Sequence, residues 1–543
     1  MRVIGVLAAV LTFGAASLVG VPAASAYLEN GSDNPVAAAP PVSRPDTPHC
    51  TATLADSFPS NASDGSNQFY SGTLTPPAAC PGPWAKVVLD ETISVSGRQY
   101  DRVASLAVGG TTVYYGTTQE PSGAVPITYH VAKDITAYSA LLRSPQPFSG
   151  GIENYTSSVY TGVYDQTVSI TYYQADRRHP AAAAPDDVVG FASSVSSGSD
   201  TVHFGLSNLP RNITRAVLSL TLKGNGCDEQ WFSSVPDDVA AKYPSAGMCP
   251  HGPFREANVA LDGAPVGNVQ TFPHIYTGGI VPTLWRPVVA IDALDMRDEQ
   301  LDVTPFVGTL VDGGSHELTV TIAGDNDWWN VVATLFLYTD HHASRTSGAV
   351  LTDHVAPTGP STTEKPLSDN GTRISVSAAR RDVTAGYVDT SAGRVYTTVA
   401  RDLSYASTDD VTAAGMAQLI HQTQSGSQTV TSTVGGRTTV TRHSFAYPLS
   451  IDFSAADYTD DQNFSLTATV EMAQHLSDAV DGRTVGTSTE WLRSYGILAR
   501  VDGTNTESDG NSRTTFHGTD DQGRWYIREI VTDHGRVVSD TSR

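Results

Sequence analysis

The chain is poor in basic side chains, in cysteine and in long apolar runs, and each shortage removes a class of function. Its 33 lysines and arginines stand against 56 aspartates and glutamates, a formal charge of −23 over 543 residues. That balance, with no basic block to offset it, argues against binding nucleic acid through its phosphates. Beyond the first residues no segment is apolar enough to span a bilayer. No C-x-x-C spacing occurs and no histidine pair lies near a cysteine, so a structural zinc site lacks support. Also missing are the G-x-S-x-G elbow, H-E-x-x-H and the phosphate-cradling G-x-x-x-x-G-K-S/T. No metal and no cofactor are expected, and neither nucleic acid nor membrane is expected as a partner.

What is present begins with a leader. Residues 1–26 combine Arg2, an apolar stretch from Val3 to Val19, and Ala24-Ser-Ala26 as a small-residue cleavage site before Tyr27. Pro22 and that cleavage pattern weigh against a membrane anchor, so the protein is expected to be secreted and extracellular. In an exported chain the four cysteines imply two disulfides, with three connectivities open. Nearness in sequence favours Cys50 with Cys80 and Cys227 with Cys249.

The chain also says one thing twice. Residues 88–173 and 217–338 share a skeleton: Val88-Leu89 opens a run ending at Gly97, as Val217-Leu218 opens one ending at Gly226. Arg102-Val-Ala-Ser-Leu-Ala-Val-Gly-Gly110 then lies over Arg255-Glu-Ala-Asn-Val-Ala-Leu-Asp-Gly263. Each copy goes on to an Asp-aliphatic-Thr-x-aromatic step, Asp134-Ile-Thr136-Ala-Tyr138 and Asp302-Val-Thr304-Pro-Phe306. Both close on alternating segments rich in Val, Ile, Thr and Tyr, which suit half-buried strands. With few amphipathic helical runs and many Gly and Pro turns, the expected class is all-β: two tandem jelly-roll-like antiparallel sandwiches plus a C-terminal β-rich domain.

The expected boundaries are an irregular N-terminal arm over 27–83, a first sandwich over 84–176, and a second over 187–341. A polar linker over 342–372 leads to the C-terminal domain, 373–543. In that domain Gln428–Val440 reads as a hairpin turning at Gly435-Gly436, with further strands at Phe464–Met472 and Trp525–Val531. Six sequons begin at Asn30, Asn61, Asn154, Asn212, Asn370 and Asn463, either glycan acceptors or chance in a chain rich in Asn, Ser and Thr.

Chemistry concentrates at the loop the copies share. The first copy has Gly97-Arg-Gln-Tyr-Asp-Arg102; the second inserts a long excursion from Gly226-Cys-Asp-Glu-Gln-Trp231 to Arg255-Glu256. If the modules pack side by side, Asp101 and Glu229 face one cleft with Arg102 and Arg255, and the second disulfide fixes the base of the excursion. Carboxylates beside arginines and tryptophans suit hydrolysis of sugar-linked bonds. An Asp-Arg pair at a strand start is, on spacing alone, more often a surface ion pair. Asp325-Asn-Asp327 reads as a polar turn in preference to a calcium loop.

Gly226-Cys-Asp-Glu-Gln-Trp231, Gly252-Pro-Phe-Arg-Glu256, Tyr276-Thr-Gly-Gly279, Leu284-Trp-Arg-Pro287 and Asp302-Val-Thr-Pro-Phe306 together resemble the peptide N-glycosidase A, or glycoamidase A, family. Gly97-Arg-Gln-Tyr-Asp-Arg102, Glu120-Pro121, Lys133-Asp-Ile-Thr136 and Thr161-Gly-Val-Tyr164 belong to the same pattern. The resemblance implies hydrolysis of the β-amide between asparagine and the innermost N-acetylglucosamine of N-linked glycopeptides, leaving Asp. The flavobacterial type of peptide N-glycosidase, built from two jelly rolls, is similar in its Trp-Asp-Arg and Cys-x-Glu elements. Its principal aspartate maps onto Asp101, its Cys-x-Glu glutamate onto Glu229, and a further acid onto Glu153. Tyr100 stands where that type has tryptophan, and the excursion here is longer. Substrate contacts are then expected from Arg102, Arg255, Glu256 and Arg286, with Trp231 and Trp285 as sugar platforms. A lectin-like double sandwich without turnover, which would keep those tryptophans, and a glycoside hydrolase acting between sugars are the competing readings.

Overall fold

The computed structural model describes residues 27–543 apart from 30, 62–65, 124, 197, 356–358 and 461; the expected leader at 1–26 and the sequon asparagine at position 30 lie outside the described residues. The first module comprises β1 (His49–Ser60), β2 (Phe69–Leu74), β3 (Trp84–Ser96), β4 (Val103–Val108), β5 (Thr111–Thr117), β6 (Ile127–Asp134), β7 (Gln146–Ile152) and β8 (Val163–Gln174). The second comprises β9 (Asp187–Val195), β10 (Thr201–Leu206), β11 (Ile213–Gly224), β12 (Glu256–Leu261), β13 (Ala264–Gln270), β14 (Glu299–Asp302), β15 (His316–Ala323) and β16 (Trp329–Thr339). The sheet orders are β1-β8-β3-β6 with β2-β7-β4-β5, and β9-β16-β11-β14 with β10-β15-β12-β13. Adding eight to each strand of the first module reproduces the second, so the repeat in sequence is a repeat of two complete jelly rolls.

The shared Asp-x-Thr step has the same job in each copy. Asp134 and Asp302 end the matching strands β6 and β14, and each carboxylate accepts the N–H of the threonine two residues on, at 2.9 and 3.0 Å. Those threonine hydroxyls in turn accept the N–H of Val87 on β3 and Ala216 on β11. A single turn of 3-10 helix follows in both.

The sandwiches abut. Tyr114 OH donates to the Leu294 carbonyl at 2.7 Å, Thr117 Oγ1 to that of Ala293 at 2.8 Å, and Lys133 pairs with Asp295 at 2.5 Å. Val188, Val217 and Phe336 on the outer face of the β9 sheet meet Tyr138, Ala140 and Leu141 of the first module. That second burial explains why β11 reads as a nearly continuous apolar run and not as an alternation.

From Ser347 to Ser542 the chain forms one 11-stranded antiparallel sheet with strands as long as Arg437–Asp460, 24 residues. The Gly435-Gly436 hairpin is there, both glycines at positive φ, 56° and 81°. One face of the sheet continues the hydrophobic core of the second sandwich through Ile374, Leu403, Tyr447, Ile451 and Val470. Its far end grips the turn Pro282–Trp285: Ser494 Oγ donates to the Leu284 carbonyl at 2.5 Å, and Thr283 Oγ1 to that of Ile497 at 3.1 Å. Gly510 has to be glycine there, because a β-carbon would sit 2.1 Å from the Thr283 oxygen.

Two boundaries differ from the sequence reading. The segment read as an irregular arm supplies β1 and β2 to the first sandwich, and residues 347–354 and 361–366 of the presumed linker are strands paired with Thr372–Thr390. The cause is the same in both. β1 is an edge strand whose register shifts twice, and Ser361–Pro366 is exposed throughout, so neither carries a period-two apolar signal. The two disulfides join Cys50 to Cys80 and Cys227 to Cys249. Asn154 is buried, its amide donating to the Ser60 and Gly162 carbonyls, which makes its sequon unavailable to a glycan in the folded chain.

One buried acid makes the first sandwich pH-sensitive. Burial among the core tyrosines pushes the Glu91 carboxyl on β3 up from 4.5 to about 8. The folded state therefore favours its protonated form: the contribution is complete below pH 4.5 and declines, at about 1.4 kcal/mol per pH unit, as pH climbs to about 8. Glu91→Gln should raise the unfolding temperature at pH 8.5 by roughly 5 °C and leave it little changed at pH 4.5; scanning calorimetry at the two pH values checks this.

Candidate active site

Asp101 stands where β3 passes into β4, in a segment with no regular structure that is tied from several sides. Arg102 N–H donates to Thr118 Oγ1 at 2.9 Å, and Thr118 N–H returns to the Arg102 carbonyl at 2.8 Å. The buried Tyr164 hydroxyl lies 2.8 Å from the Tyr100 carbonyl and 2.9 Å from that of Gln119, so one phenol spans the residues preceding Asp101 and Glu120. Gln99 Oε1 accepts from Tyr100 N–H and from both Nε and Nη2 of Arg102. Restraint of this kind fixes the backbone on either side of the loop carboxylate.

The turn Tyr276-Thr-Gly-Gly279 of the second sandwich meets this segment. Gly278 N–H donates to the Asp101 carboxylate. A β-carbon on Gly278 would fall 2.9 Å from Asp101 Oδ1 and 2.3 Å from Glu120 Oε2, so two carboxyl groups crowd one glycine. Glu120 N–H donates to Thr277 Oγ1 at 2.6 Å, and that hydroxyl donates to the Thr118 carbonyl at 2.8 Å. Behind Glu120 lies Arg286, Nη2 3.3 Å from Glu120 Oε1 and Nη1 3.1 Å from Glu29 Oε2.

Glu229 is placed by its neighbour. Asp228, fully buried, accepts Arg255 Nε and Nη2 on one oxygen, at 3.0 and 2.6 Å; its other oxygen takes the N–H groups of Asn326 and Asp327 and the Trp329 indole. This hub pins the turn Gly226–Ser233, and the Cys227–Cys249 bridge closes its base. Lys223, at the end of β11, donates to Asn225 Oδ1 at 2.5 Å and lies 4.6 Å from the centre of the Tyr276 ring.

These groups feel one another's charge. Burial raises Asp101 above the usual carboxylate range, against the pull of Lys223 and the Gly278 N–H. Glu120 is pushed up to about 7 by burial, with Arg286 lowering it and Asp101 and Glu229 raising it. Glu229 is raised by burial and then by Asp101, while Lys223 opposes. Burial depresses the Lys223 ammonium, which Glu229, Asp101 and Glu153 support. Glu153, just past β7 and exposed, is raised by partial desolvation and lowered by Lys223. Such mutual influence marks neighbours, and acids pushed to different strengths in one cleft are suited to divide base and acid roles. Among the described residues no group of His, Cys, Asp or Glu is arranged to hold a metal ion.

Residues 40–356 match the family described as peptide N-acetyl-β-D-glucosaminyl asparaginase amidase A, and residues 373–449 match the C-terminal domain of that family. The chain belongs to this family. It is 33% identical over 300 residues to the peptide-N4-(N-acetyl-β-glucosaminyl)asparagine amidase A of Prunus dulcis, across 50% of this chain and 52% of that protein. It thus spans about half the length of that curated relative. Among solved structures, PNGase F of Flavobacterium meningosepticum is 15% identical with a TM-score of 0.34, covering 54% of this chain and 96% of its own. PNGF-II is 13% identical with a TM-score of 0.35, covering 54% and 66%.

Against this family background, Asp101, Glu229 and Glu153 share one electrostatic neighbourhood, with Arg102 beside them and Arg286 behind Glu120. Four other expectations require correction. Trp231 is 3% exposed and packs on Phe232 in the core; Trp285 is 0% exposed, its indole donating to the Gly279 carbonyl at 2.8 Å. Neither ring is available to a sugar. Arg255 is the counter-ion of Asp228 and does not face Asp101, because the excursion folds back over the start of β12. Glu256 points to the C-terminal sheet, where Arg380 pairs with it at 2.8 Å. Nearby accessible rings are the exposed Tyr100 and the half-buried Tyr160, 4.3 Å apart, with Tyr155 and, on the loop that packs against Asn225, Trp328 also exposed. The sequence reading also left Glu120 and Lys223 without roles. A lone lysine closing the apolar run Ala-Val-Leu-Ser-Leu-Thr-Leu was the available signal for the second.

Proposed function

We propose that this chain is a secreted glycoamidase that hydrolyses the β-amide joining asparagine to the innermost N-acetylglucosamine of N-linked glycopeptides. The observation that carries the reading is the meeting of Asp101 and Glu120, from one sandwich, with the Gly278 turn, Glu229 and Lys223 of its sibling. Asp101, ionised beside Lys223 and the Gly278 N–H, takes a proton from water as the water oxygen bonds to the amide carbon. When the carbon–nitrogen bond breaks, Glu120 gives its proton to the departing nitrogen. The products are an aspartate side chain and a glycosylamine. Glu229 and Lys223 hold the reducing-end sugar and the amide in register, since positioning carries much of the rate for so unreactive a bond. Tyr100, Tyr160 and Trp328 replace the two buried tryptophans as surfaces for sugar faces.

The division of roles sets a pH dependence. Glu120 must be protonated, so turnover should fall as pH rises through about 7; Asp101 must be ionised, which places the acid limb above the ordinary carboxylate value. Export is supported by the leader and the two disulfides, and no helix among the described residues is long and apolar enough to cross a membrane. Mass spectrometry of one N-glycopeptide incubated with the enzyme tests the assignment. Aspartate at the former glycan site is expected; N-acetylglucosamine left on asparagine would mean a glycoside hydrolase, and an unaltered bound glycopeptide a lectin.

A further inference from the structure

The described residues of 27–42 carry no strand, yet they are anchored along most of their length. Glu29 N–H donates to the Ser508 carbonyl and Ser508 N–H to that of Tyr27, at 2.8 and 2.7 Å. Asp33 pairs with Arg536 at 2.8 Å and accepts Val537 N–H at 2.9 Å; Val36 exchanges hydrogen bonds with Pro287 and Val289. Asn34 reaches the first sandwich through Thr128 N–H, and Arg528 donates to the Ala37 carbonyl. The segment is therefore a strap across both sandwiches and the C-terminal sheet. Among its described residues it reaches the acid cluster through the Glu29 carboxylate on Arg286, with side chains only 5% and 10% exposed.

An arginine serving Glu120 alone would offer its full fork to that carboxylate and favour the ionised form. Arg286 does not: one terminal nitrogen faces Glu29 at 3.1 Å, the other Glu120 at 3.3 Å, and Nε is spent on the Glu120 main-chain carbonyl at 3.3 Å. Resting on the glycoamidase reading above, we infer that Glu29 is a positioning residue: by dividing Arg286 between two carboxylates it keeps Glu120 a proton donor. The other charged and titratable groups facing Glu120 are Asp101, Arg98, Glu229, Tyr100 and Tyr164, while Arg536 faces Glu29. None of these changes when Glu29 is substituted, so a shift assigns to the strap.

Glu29→Gln keeps the size and loses the charge. Removing one anion at the far side of the guanidinium should move the alkaline limb of kcat/KM to lower pH by about half a unit to one unit, with the rate at pH 5 within about twofold of wild type. Glu29→Asp should restore most of the limb. An unmoved limb in a folded, active Glu29→Gln protein overturns the inference, as does an equal loss of rate at every pH with a lowered melting temperature. A second measurement does not depend on turnover: unfolding temperature against pH for wild type, Glu29→Gln, Glu120→Gln and the double variant. The decline in stability above pH 4.5 that Glu120→Gln removes should be smaller in the Glu29→Gln background. Equal declines in the two backgrounds overturn the inference even if the protein cleaves no glycopeptide, a result that would separately defeat the functional reading.

Discussion

Asp101→Asn should slow glycan release from a denatured glycopeptide by about 10³-fold while leaving thermal unfolding nearly unchanged. The substitution keeps an oxygen to accept the Gly278 N–H and removes only the group that takes the proton. Stability should hold because burial already disfavours the ionised form of this side chain, so a neutral amide loses little. Glu229→Gln should cost about 10²-fold, as an amide in the same turn still hydrogen-bonds a sugar but no longer balances Lys223. The two effects should be less than additive, since Asp101 raises Glu229 in the folded protein and Lys223 faces both acids. Near wild-type release by folded Asp101→Asn protein would take Asp101 out of the base role, and unfolding of Glu229→Gln would make Glu229 structural.

The parts of this molecule that were legible in its sequence are those decided within a few residues. The paired Asp-x-Thr steps at 134–136 and 302–304 can be aligned because the capping they perform is local, and the strands on either side inherit the register. Gly435-Gly436 specifies a hairpin for the same reason. What escaped was set by contacts across the chain. β1 hides its alternation behind two bulges; Ser361–Pro366 is wholly exposed and has no apolar face to display. Gly278 reads as a turn residue until the first sandwich sets Asp101 and Glu120 against it. Tryptophans beside acids suggested sugar contacts at 231 and 285, but the direction of a ring leaving a 3-10 turn depends on what that turn packs on. Here Trp285 faces inward because its turn is clamped by Ser494 and Ile497 of the C-terminal sheet. That sheet therefore braces the turn Pro282–Trp285 next to Arg286.

Arg255 offers the sharpest separation between a residue that touches substrate and one that holds the site together. It occupies the position of Arg102 in the repeated skeleton, and on sequence it belonged in the cleft. In the fold both it and Asp228 are 0% exposed and 2.6 Å apart. Arg255→Met should destabilise the second sandwich by about 3–5 kcal/mol, because it strands a carboxylate that no water can reach. Calorimetry should show the loss in the transition that includes the second sandwich and the C-terminal sheet, which share one core. The double variant Arg255→Met with Asp228→Asn should recover part of it, since the remaining donors to Asp228 Oδ2 can serve an amide oxygen. Glycan release by Arg255→Met, measured well below its melting temperature, should fall with the displacement of Glu229 and appear mainly in kcat. A raised KM with unchanged unfolding would instead return Arg255 to the substrate, and would require the excursion to open in a way that exposes the Asp228 hub.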